Sequence, residues 1–460
     1  MRRFRIRFLG TFGVTFESVH YILTKTIRMS DLKVVGGSVI SGTVTPSGNK
    51  NSVLPVMCAT ILTEEPVTLR NVPEISDVAK LVDFMTNIGS NIEWDKKSGV
   101  MTIINDSLDE KAAQEGFPLG MFGAVLLLGP LSARFGKVVI KSQVKGCSLG
   151  MRPLDPHFIM MEKFGAKITR NCNTEISFDN PKGSFIWTDH QSVTTTENAI
   201  MMAVLAKGVT EFVNAACEPH VQDLCNFLNS LGAKIEGIGS NRLVINGVGK
   251  LGGGEFDISS DHHEITTFLA LGAMTGGEVR VKKAIPQHFP LIIDTFKKLG
   301  VEIEYDGDTA IVRKDQSFEV QKTYENNLMQ RIEIAPWPYF PVDLLPLMIA
   351  LSLKSKGEVW FWNKMYYEWG LFWLPELVKL GAKIMMCDQY RVLMLGPCEL
   401  KGTIIKCPDI IRATVALVMA AMAAKGESTL QGVDTIFRAH PGFFEQLTKL
   451  GGDLEVIDRV

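Results

Sequence analysis

The sequence predicts an α/β protein of two domains, each made of three copies of one strand–helix unit packed around buried helices. Two recurring phrases carry this reading. The first is hydrophobic-Gly-small-polar-Ile/Leu, found at Ile88-Gly89-Ser90-Asn91-Ile92, Phe164-Gly165-Ala166-Lys167-Ile168, Leu231-Gly232-Ala233-Lys234-Ile235, Leu299-Gly300-Val301-Glu302-Ile303, Leu380-Gly381-Ala382-Lys383-Ile384 and Leu450-Gly451-Gly452-Asp453-Leu454. The glycines recur roughly every 70 residues, the scale of one supersecondary unit. Each phrase reads as a helix C-terminus in which Gly takes the left-handed position before a strand begins.

The second phrase is a short β run, usually opened by Gly, that follows an apolar helix. It appears as Glu65-Pro66-Val67-Thr68-Leu69, Gly136-Lys137-Val138-Val139-Ile140, Gly208-Val209-Thr210-Glu211-Phe212, Gly277-Glu278-Val279-Arg280-Val281, Gly357-Glu358-Val359-Trp360-Phe361 and Gly426-Glu427-Ser428-Thr429-Leu430. Each unit therefore runs strand, apolar helix, strand, amphipathic helix, Gly, strand, a βαβαββ-type repeat. The apolar helices are expected at 52–62, 122–131, 199–206, 265–274, 344–353 and 413–424. A helix apolar on all sides must be buried on all sides, so three per domain form its centre. The domain break is expected near Ser259-Ser260-Asp261, giving 50–260 as the first domain and 29–49 plus 261–460 as the second.

Bulk properties narrow the function. The 460 residues suffice for two domains with sizeable cores, and the net charge of −2 gives no reason to expect nucleic acid or an anionic membrane as partner. No apolar run reaches the ~18 residues of a membrane helix. The 8 cysteines are scattered without a CxxC pair, which suits a reducing cytoplasm. Residues 1–28 carry Arg2, Arg3, Arg5, Arg7, Lys25 and Arg28 against Glu17 alone, and are read as an extension outside the fold; Met29 is a second plausible start.

The starts of the buried helices carry unusual residues: Lys50-Asn51, Thr194 with Glu197, Asp261 with Glu264, Asp343 and Arg412. A helix N-terminus offers free N–H groups and about half a positive charge, so several aimed at one cleft make an anion site without a basic protein. Lys and Arg oppose the dipole there and are read as facing a ligand. In the loop Lys145-Gly146-Cys147-Ser148-Leu149-Gly150-Met151-Arg152-Pro153, the flanking cations favour the Cys147 thiolate.

This loop, with Ser47-Gly48-Asn49-Lys50-Asn51, Gly129-Pro130-Leu131, Ala133-Arg134-Phe135-Gly136, Thr196-Glu197-Asn198 and Asn214-Ala215-Ala216-Cys217-Glu218-Pro219, resembles the UDP-N-acetylglucosamine enolpyruvyl transferase family from about Leu32 to the C-terminus. The resemblance implies two inside-out α/β domains with the active site in the cleft between them, and places residues 32–49 in the second domain. It implies transfer of the enolpyruvyl group of phosphoenolpyruvate to the 3′-hydroxyl of UDP-N-acetylglucosamine with release of phosphate, at the start of peptidoglycan precursor synthesis. No cofactor and no metal are implied; the partners are the two small substrates, and the chain is expected to be a monomer or weak homo-oligomer.

By the same resemblance, Cys147 is the general acid on phosphoenolpyruvate, forms a covalent adduct with it and is the site of fosfomycin alkylation. Lys50, Asn51 and Arg412 bind phosphoenolpyruvate, and Asp343 takes the proton of the sugar hydroxyl. Arg152, Pro153, Leu154, Asp155 and Pro156, together with His190, Gln191, Ser192, Val193 and Tyr366, lie along the UDP-sugar, with Arg152 also near the phosphate. Phe122 and Gly370 stand where the family usually has arginines on the UDP-sugar and phosphoenolpyruvate, and His262 where an arginine is common; Arg391 is a candidate to compensate. Each lost charge-assisted bond is worth ~1.5–3 kcal/mol. Two alternatives follow from these departures: a different nucleotide or sugar acceptor, or a paralogue that binds the UDP-sugar without catalysis.

Two further stretches each carry two readings. The aromatic run 360–373 reads as strand plus core-facing helix in the fifth repeat, with an altered sugar pocket as the alternative. Asp261-His262-His263-Glu264 reads as a capping box rather than a metal cluster, since adjacent histidines are expected to diverge on a helix.

Overall fold

The computed structural model describes residues 29–115, 122–140, 153–325, 328–365 and 370–459. The architecture is inside-out: the apolar helices fill the centres and the sheets lie outside. Six helices form the inner layer, labelled α1 (Lys50–Ala59), α2 (Leu128–Phe135), α3 (Val193–Ala203), α4 (His262–Thr275), α5 (Leu345–Ser352) and α6 (Ile411–Met422). Every residue of α5 is buried, as is every residue of α6 from Arg412 to Met422. The buried apolar side chains form two clusters. One draws on residues between Val53 and Ile258, the other on Leu32, Val34, Ile40, Val44 and residues from Ile265 to Leu450.

The glycines of the first repeated phrase, Gly89, Gly165, Gly232, Gly300, Gly381 and Gly451, all have positive φ, between 75° and 106°. That is the left-handed turn by which each amphipathic helix hands over to a strand. The resulting sheets share one pattern. In the first, Gly254–Asp257 lies parallel to Val67–Arg70, which pairs antiparallel with Val100–Ile104, and that with Asn91–Asp95. Four other sheets repeat this order, and a sixth shows three strands among the described residues.

Two strands sit in sheets away from their neighbours in sequence. Gly42–Val44 precedes α1 but pairs with Val279–Val281 on the second cluster, whereas Gly254–Asp257 precedes α4 but pairs with Val67–Arg70 on the first. The chain therefore crosses between the clusters twice, at 45–49 and 258–261. The crossings run antiparallel against each other: Gly48 bridges Ser260, Asn49 N–H donates to Ser259 O at 2.8 Å, and Asp261 N–H donates to Ser47 O at 2.9 Å. Gly48 is required here, because a Cβ would fall within 1.9 Å of Asn71 O. Strand Met29–Gly36 lies between Gly426–Gln431 and Asp453–Arg459, joining both ends of the described chain in one sheet.

α3 begins at Val193, one residue before the start expected at Thr194, and its polar residues Thr195 to Asn198 are buried ahead of the apolar run at Ala199. The segment Phe122–Leu127 winds as a 3₁₀ helix before α2. Among the described residues no helix is long and apolar enough to cross a membrane.

Candidate active site

The starts of all six inner helices, or the turn leading into them, converge on one cavity of about 280 Å³ between the two apolar clusters. The first cluster contributes Lys50 and Asn51 of α1, Gly123 before α2, and Val193, Thr194 and Glu197 of α3. The second contributes His262 and His263 of α4, Asp343 in the turn before α5, and Arg412 of α6. Glu218 and His220, Trp337 and Arg438 complete the polar and aromatic wall.

Lys50 is placed by α1, which Asn49 caps by accepting the Asn51 N–H at 2.8 Å. Its Nζ lies 2.5 Å from Asp77 Oδ2, and Arg438 Nη2 approaches the same oxygen at 3.7 Å. Burial lowers the Lys50 ammonium from its ordinary value; Asp77 opposes this, while Arg438 and Arg412 add to it. Across the cavity Arg412 is buried with Nη2 3.7 Å from Asp261 Oδ2 and Nη1 against His440 Nε2. Burial alone would raise the Asp261 carboxyl, but His263, Arg412 and His440 hold it well below the usual carboxylate range. His440 stays neutral, burial and then Arg412 bringing it down to about 3.

The acidic side of the wall is strongly desolvated. Burial, reinforced by the charge of Glu218, raises Glu197 well above the ordinary value. Glu218 is pushed up to about 7 by burial, against hydrogen bonds from main-chain N–H groups including that of Trp337. The Cys217 thiol donates to Trp337 O at 3.2 Å, so this corner ties the two clusters together. His220 falls to about 4 through burial and then His263, and its Nδ1 has no hydrogen-bond partner. Three cations and desolvated helix starts therefore face carboxyls that are partly held neutral, an arrangement suited to a small polyanion and to proton transfer.

Of the residues singled out from sequence, Lys50, Asn51, Val193, Asp343 and Arg412 line this cavity. Cys147, Arg152 and Tyr366 lie outside the described residues, as do Lys145 and the remainder of that loop up to Arg152. Pro153 and Leu154 lead into the helix Asp155–Lys163, which Asp155 and Pro156 begin; none of the four lines the cavity. His190, Gln191 and Ser192 precede α3 beside the cavity rather than on its wall, Ser192 capping α3 through the Thr195 N–H. At position 122 the side chain is undescribed, while its neighbour Gly123 is on the wall.

Arg391, the candidate to compensate for the missing arginines, does not line the cavity. It pairs with Asp388 at 2.6 Å and lies over the rings of Trp360 and Trp362, on the sheet face turned away from the core. Arg438 is the additional cation the cavity gains; it sits in a 3₁₀ turn, Asp434–Arg438, that no motif announces. Gly370 does reach the wall, without a side chain. The aromatic run divides: Phe361 and Trp373 are buried, Trp360 and Trp362 are half-buried and Phe372 is exposed, while Trp373 also lines the cavity.

The expected capping box is only half made. Asp261 accepts the His263 N–H at 2.8 Å, but Glu264 turns to Ser47, accepting its N–H at 2.8 Å and its hydroxyl at 2.5 Å. Nor do the histidines diverge: the rings of His262 and His263 stack with centroids 3.9 Å apart, within reach of Asp261. Asp261 is already engaged by His263, and His262 Nδ1 by Asn49 Nδ2 at 3.3 Å.

Comparison with known proteins agrees with this fold. Residues 34–447 match the family described as EPSP synthase (3-phosphoshikimate 1-carboxyvinyltransferase). A UDP-N-acetylglucosamine 1-carboxyvinyltransferase of Borreliella burgdorferi is 40% identical over 428 residues, covering 92% of this chain and 98% of the relative. The enzyme of the same name from Treponema denticola is 37% identical over 431 residues, covering 94% and 100%. Among solved structures, the enolpyruvyl transferase NikO of Streptomyces tendae superposes with a TM-score of 0.80 at 21% identity, covering 94% of this chain and 100% of that one, and so shares the fold. EPSP synthase from Acinetobacter baumannii, at 18% identity with 93% and 100% covered, gives a TM-score of 0.68. The near-complete span of these matches, at this identity, makes the chain a member of the EPSP synthase family and, within it, of the UDP-N-acetylglucosamine 1-carboxyvinyltransferases.

Proposed function

We propose that the protein transfers the enolpyruvyl group of phosphoenolpyruvate to the 3′-hydroxyl of UDP-N-acetylglucosamine, releasing phosphate, as the names of its relatives indicate. The observation that carries this is the convergence of six helix starts with Lys50, Arg412 and Arg438 on one cavity that also holds Asp343. Phosphoenolpyruvate is a compact polyanion, and Lys50, Asn51, Arg412 and Arg438 supply charge-assisted and helix-end bonds to it. Asp343 takes the proton of the sugar hydroxyl, and Cys147 delivers one to C3 of phosphoenolpyruvate. The UDP-sugar runs past Val193 and the preceding His190–Gln191–Ser192 turn toward the segment Arg152 to Pro156, with Phe122 and Tyr366 along it.

Residues 50–260, and 29–49 with 261–460, act as two domains that close on the substrates and expel water. The reaction belongs in the cytoplasm, the reducing compartment that suits the free cysteines among the described residues. The test is phosphate release from phosphoenolpyruvate by the purified protein, with and without UDP-N-acetylglucosamine, beside Cys147→Ala. Release that needs the UDP-sugar and collapses in the variant establishes the reaction; no release at millimolar substrates overturns it.

A further inference from the structure

Asp343 does not face the cavity alone. His263, the second residue of α4, is 2% exposed and turns Nε2 toward Asp343 Oδ2 at 3.5 Å. Its Nδ1 lies 2.7 Å from Asp261 Oδ1. Asp261, fully buried, also accepts the His263 main-chain N–H and faces Arg412 with its other oxygen. A row therefore runs inward from the cavity edge: carboxylate, imidazole, carboxylate, guanidinium, ending on His440. His262 stacks on the imidazole from the same helix, and the buried His220 approaches from the other cluster.

The chemistry of the row fixes where protons go. Asp261 is held ionised and can only accept, so His263 Nδ1 carries a hydrogen donated to it. Nε2 is then either a lone pair or an N–H. A lone pair on Nε2 repels a carboxylate oxygen 3.5 Å away, and one proton placed between them turns the contact attractive. The pair thus has a vacancy for one proton, beside the carboxylate proposed to remove one from substrate.

We propose that His263 is a positioning and proton-sharing residue for Asp343, an inference that rests on the proposed reaction. As the acceptor 3′-O–H bond breaks, its electron pair forms the new bond to C2 of phosphoenolpyruvate. The proton passes to Asp343 Oδ2 and is shared with His263 Nε2, and the charge this puts on the imidazole is held by Asp261. The proton added at C3 comes separately, and phosphate leaves only in the later elimination. A buried carboxylate behind an imidazole orients the ring and stabilises it once charged, which is the service a second carboxylate performs in other proton-transfer rows.

The experiment measures phosphoenolpyruvate-dependent phosphate release, with UDP-N-acetylglucosamine, for the full chain, Asp343→Asn, His263→Gln and His263→Ala. The expected result is a fall in kcat of about ten- to a hundredfold in His263→Gln, with both KM values nearly unchanged and partial recovery of His263→Ala by added imidazole. Activity that dies in Asp343→Asn but is unmoved in His263→Gln overturns the sharing alone. Equal losses in kcat and affinity, unrescued by imidazole, also overturn it, since they mark a packing role. Should the His263 variants not fold, the dependence of kcat on deuterium content in the wild-type protein decides: a bowed curve shows two protons in flight and supports the pair, and a straight line overturns it. A wild-type protein inactive with both substrates overturns the reaction itself, and this inference with it.

Discussion

Lys50 and Asp77 meet across the mouth of α1 with Nζ and Oδ2 2.5 Å apart, both largely buried, their side chains 12% and 2% exposed. The pair does two things at once. It neutralises a carboxylate that has little water, and it holds an ammonium at a helix N-terminus, where the dipole would repel it.

Removing one partner should separate these roles. Lys50→Met is expected to cost about 3 kcal/mol of stability, because Asp77 keeps only Arg438 at 3.7 Å. Affinity for phosphoenolpyruvate should fall at least about tenfold with the lost charge-assisted bond. The double variant Lys50→Met/Asp77→Asn should regain the melting temperature and not the affinity. Thermal unfolding beside titration with phosphoenolpyruvate checks both; recovery of binding in the double variant would contradict the assignment of Lys50.

Glu218 gives a pH signature. Burial raises its folded value to about 7, so the folded state holds a proton that the unfolded chain, near 4.5, has released. Stability from this group is therefore lost as pH rises between those values and is flat above them. Glu218→Gln should match wild type near pH 4 and exceed it by about 3 kcal/mol above pH 7. Denaturant unfolding at a series of pH values reads the difference, and a gap that shrinks with rising pH would contradict the assignment.

His157 works with the opposite sign. Burial takes it to about 4, where it receives the Asn198 side-chain amide at Nδ1, 3.3 Å, and contacts the Thr194 hydroxyl at Nε2, 3.2 Å. The unfolded chain, near 6.5, gains its proton first, so this contribution is complete above pH 6.5 and lost as pH falls toward 4. Wild type should lose up to about 3 kcal/mol over that window relative to His157→Gln. Acid titration of the two proteins checks it.

Gly129 links packing to the site. Its N–H donates to Asn198 Oδ1 at 2.6 Å, and a Cβ there would stand 2.7 Å from Asn198 O. Gly129→Ala therefore pushes α2 away from α3, the helix that brings Val193, Thr194 and Glu197 to the cavity. The expected loss is about 1–3 kcal/mol, with a raised KM for the UDP-sugar; a neutral variant would show that α3 gives way without disturbing its start.

What the chain shows locally, and what only folding brings together, divides on physical grounds. The repeat glycines were legible because a left-handed residue before a strand leaves a local trace that tertiary structure does not erase. The burial of the first turns of α3 was not, although Thr194 with Glu197 marked its start, because apolarity marks burial only when water is the alternative partner. Thr196 Oγ1 accepts the Ala216 N–H at 3.0 Å and Asn198 Nδ2 donates to Val125 O at 3.0 Å, so these polar residues are buried without cost in lost hydrogen bonds. Lys50, Asp343 and Arg412 were legible from helix starts and family resemblance. Arg438 and Asp77 were not, since only folding brings residues about 360 apart onto one oxygen. His263 was misread for a related reason: its partner Asp343 is distant in sequence, and the local pattern suggested only a cap.

The paired crossings at 45–49 and 258–261 have a mechanical consequence. The two segments, held edge to edge by one bridge and two main-chain hydrogen bonds, form a two-ply strap. The residues of the two clusters are thereby joined at two adjacent points, with Lys50 directly following one crossing and His262 directly following the other. A single cut in either ply would leave the other still joining the two clusters through the chain.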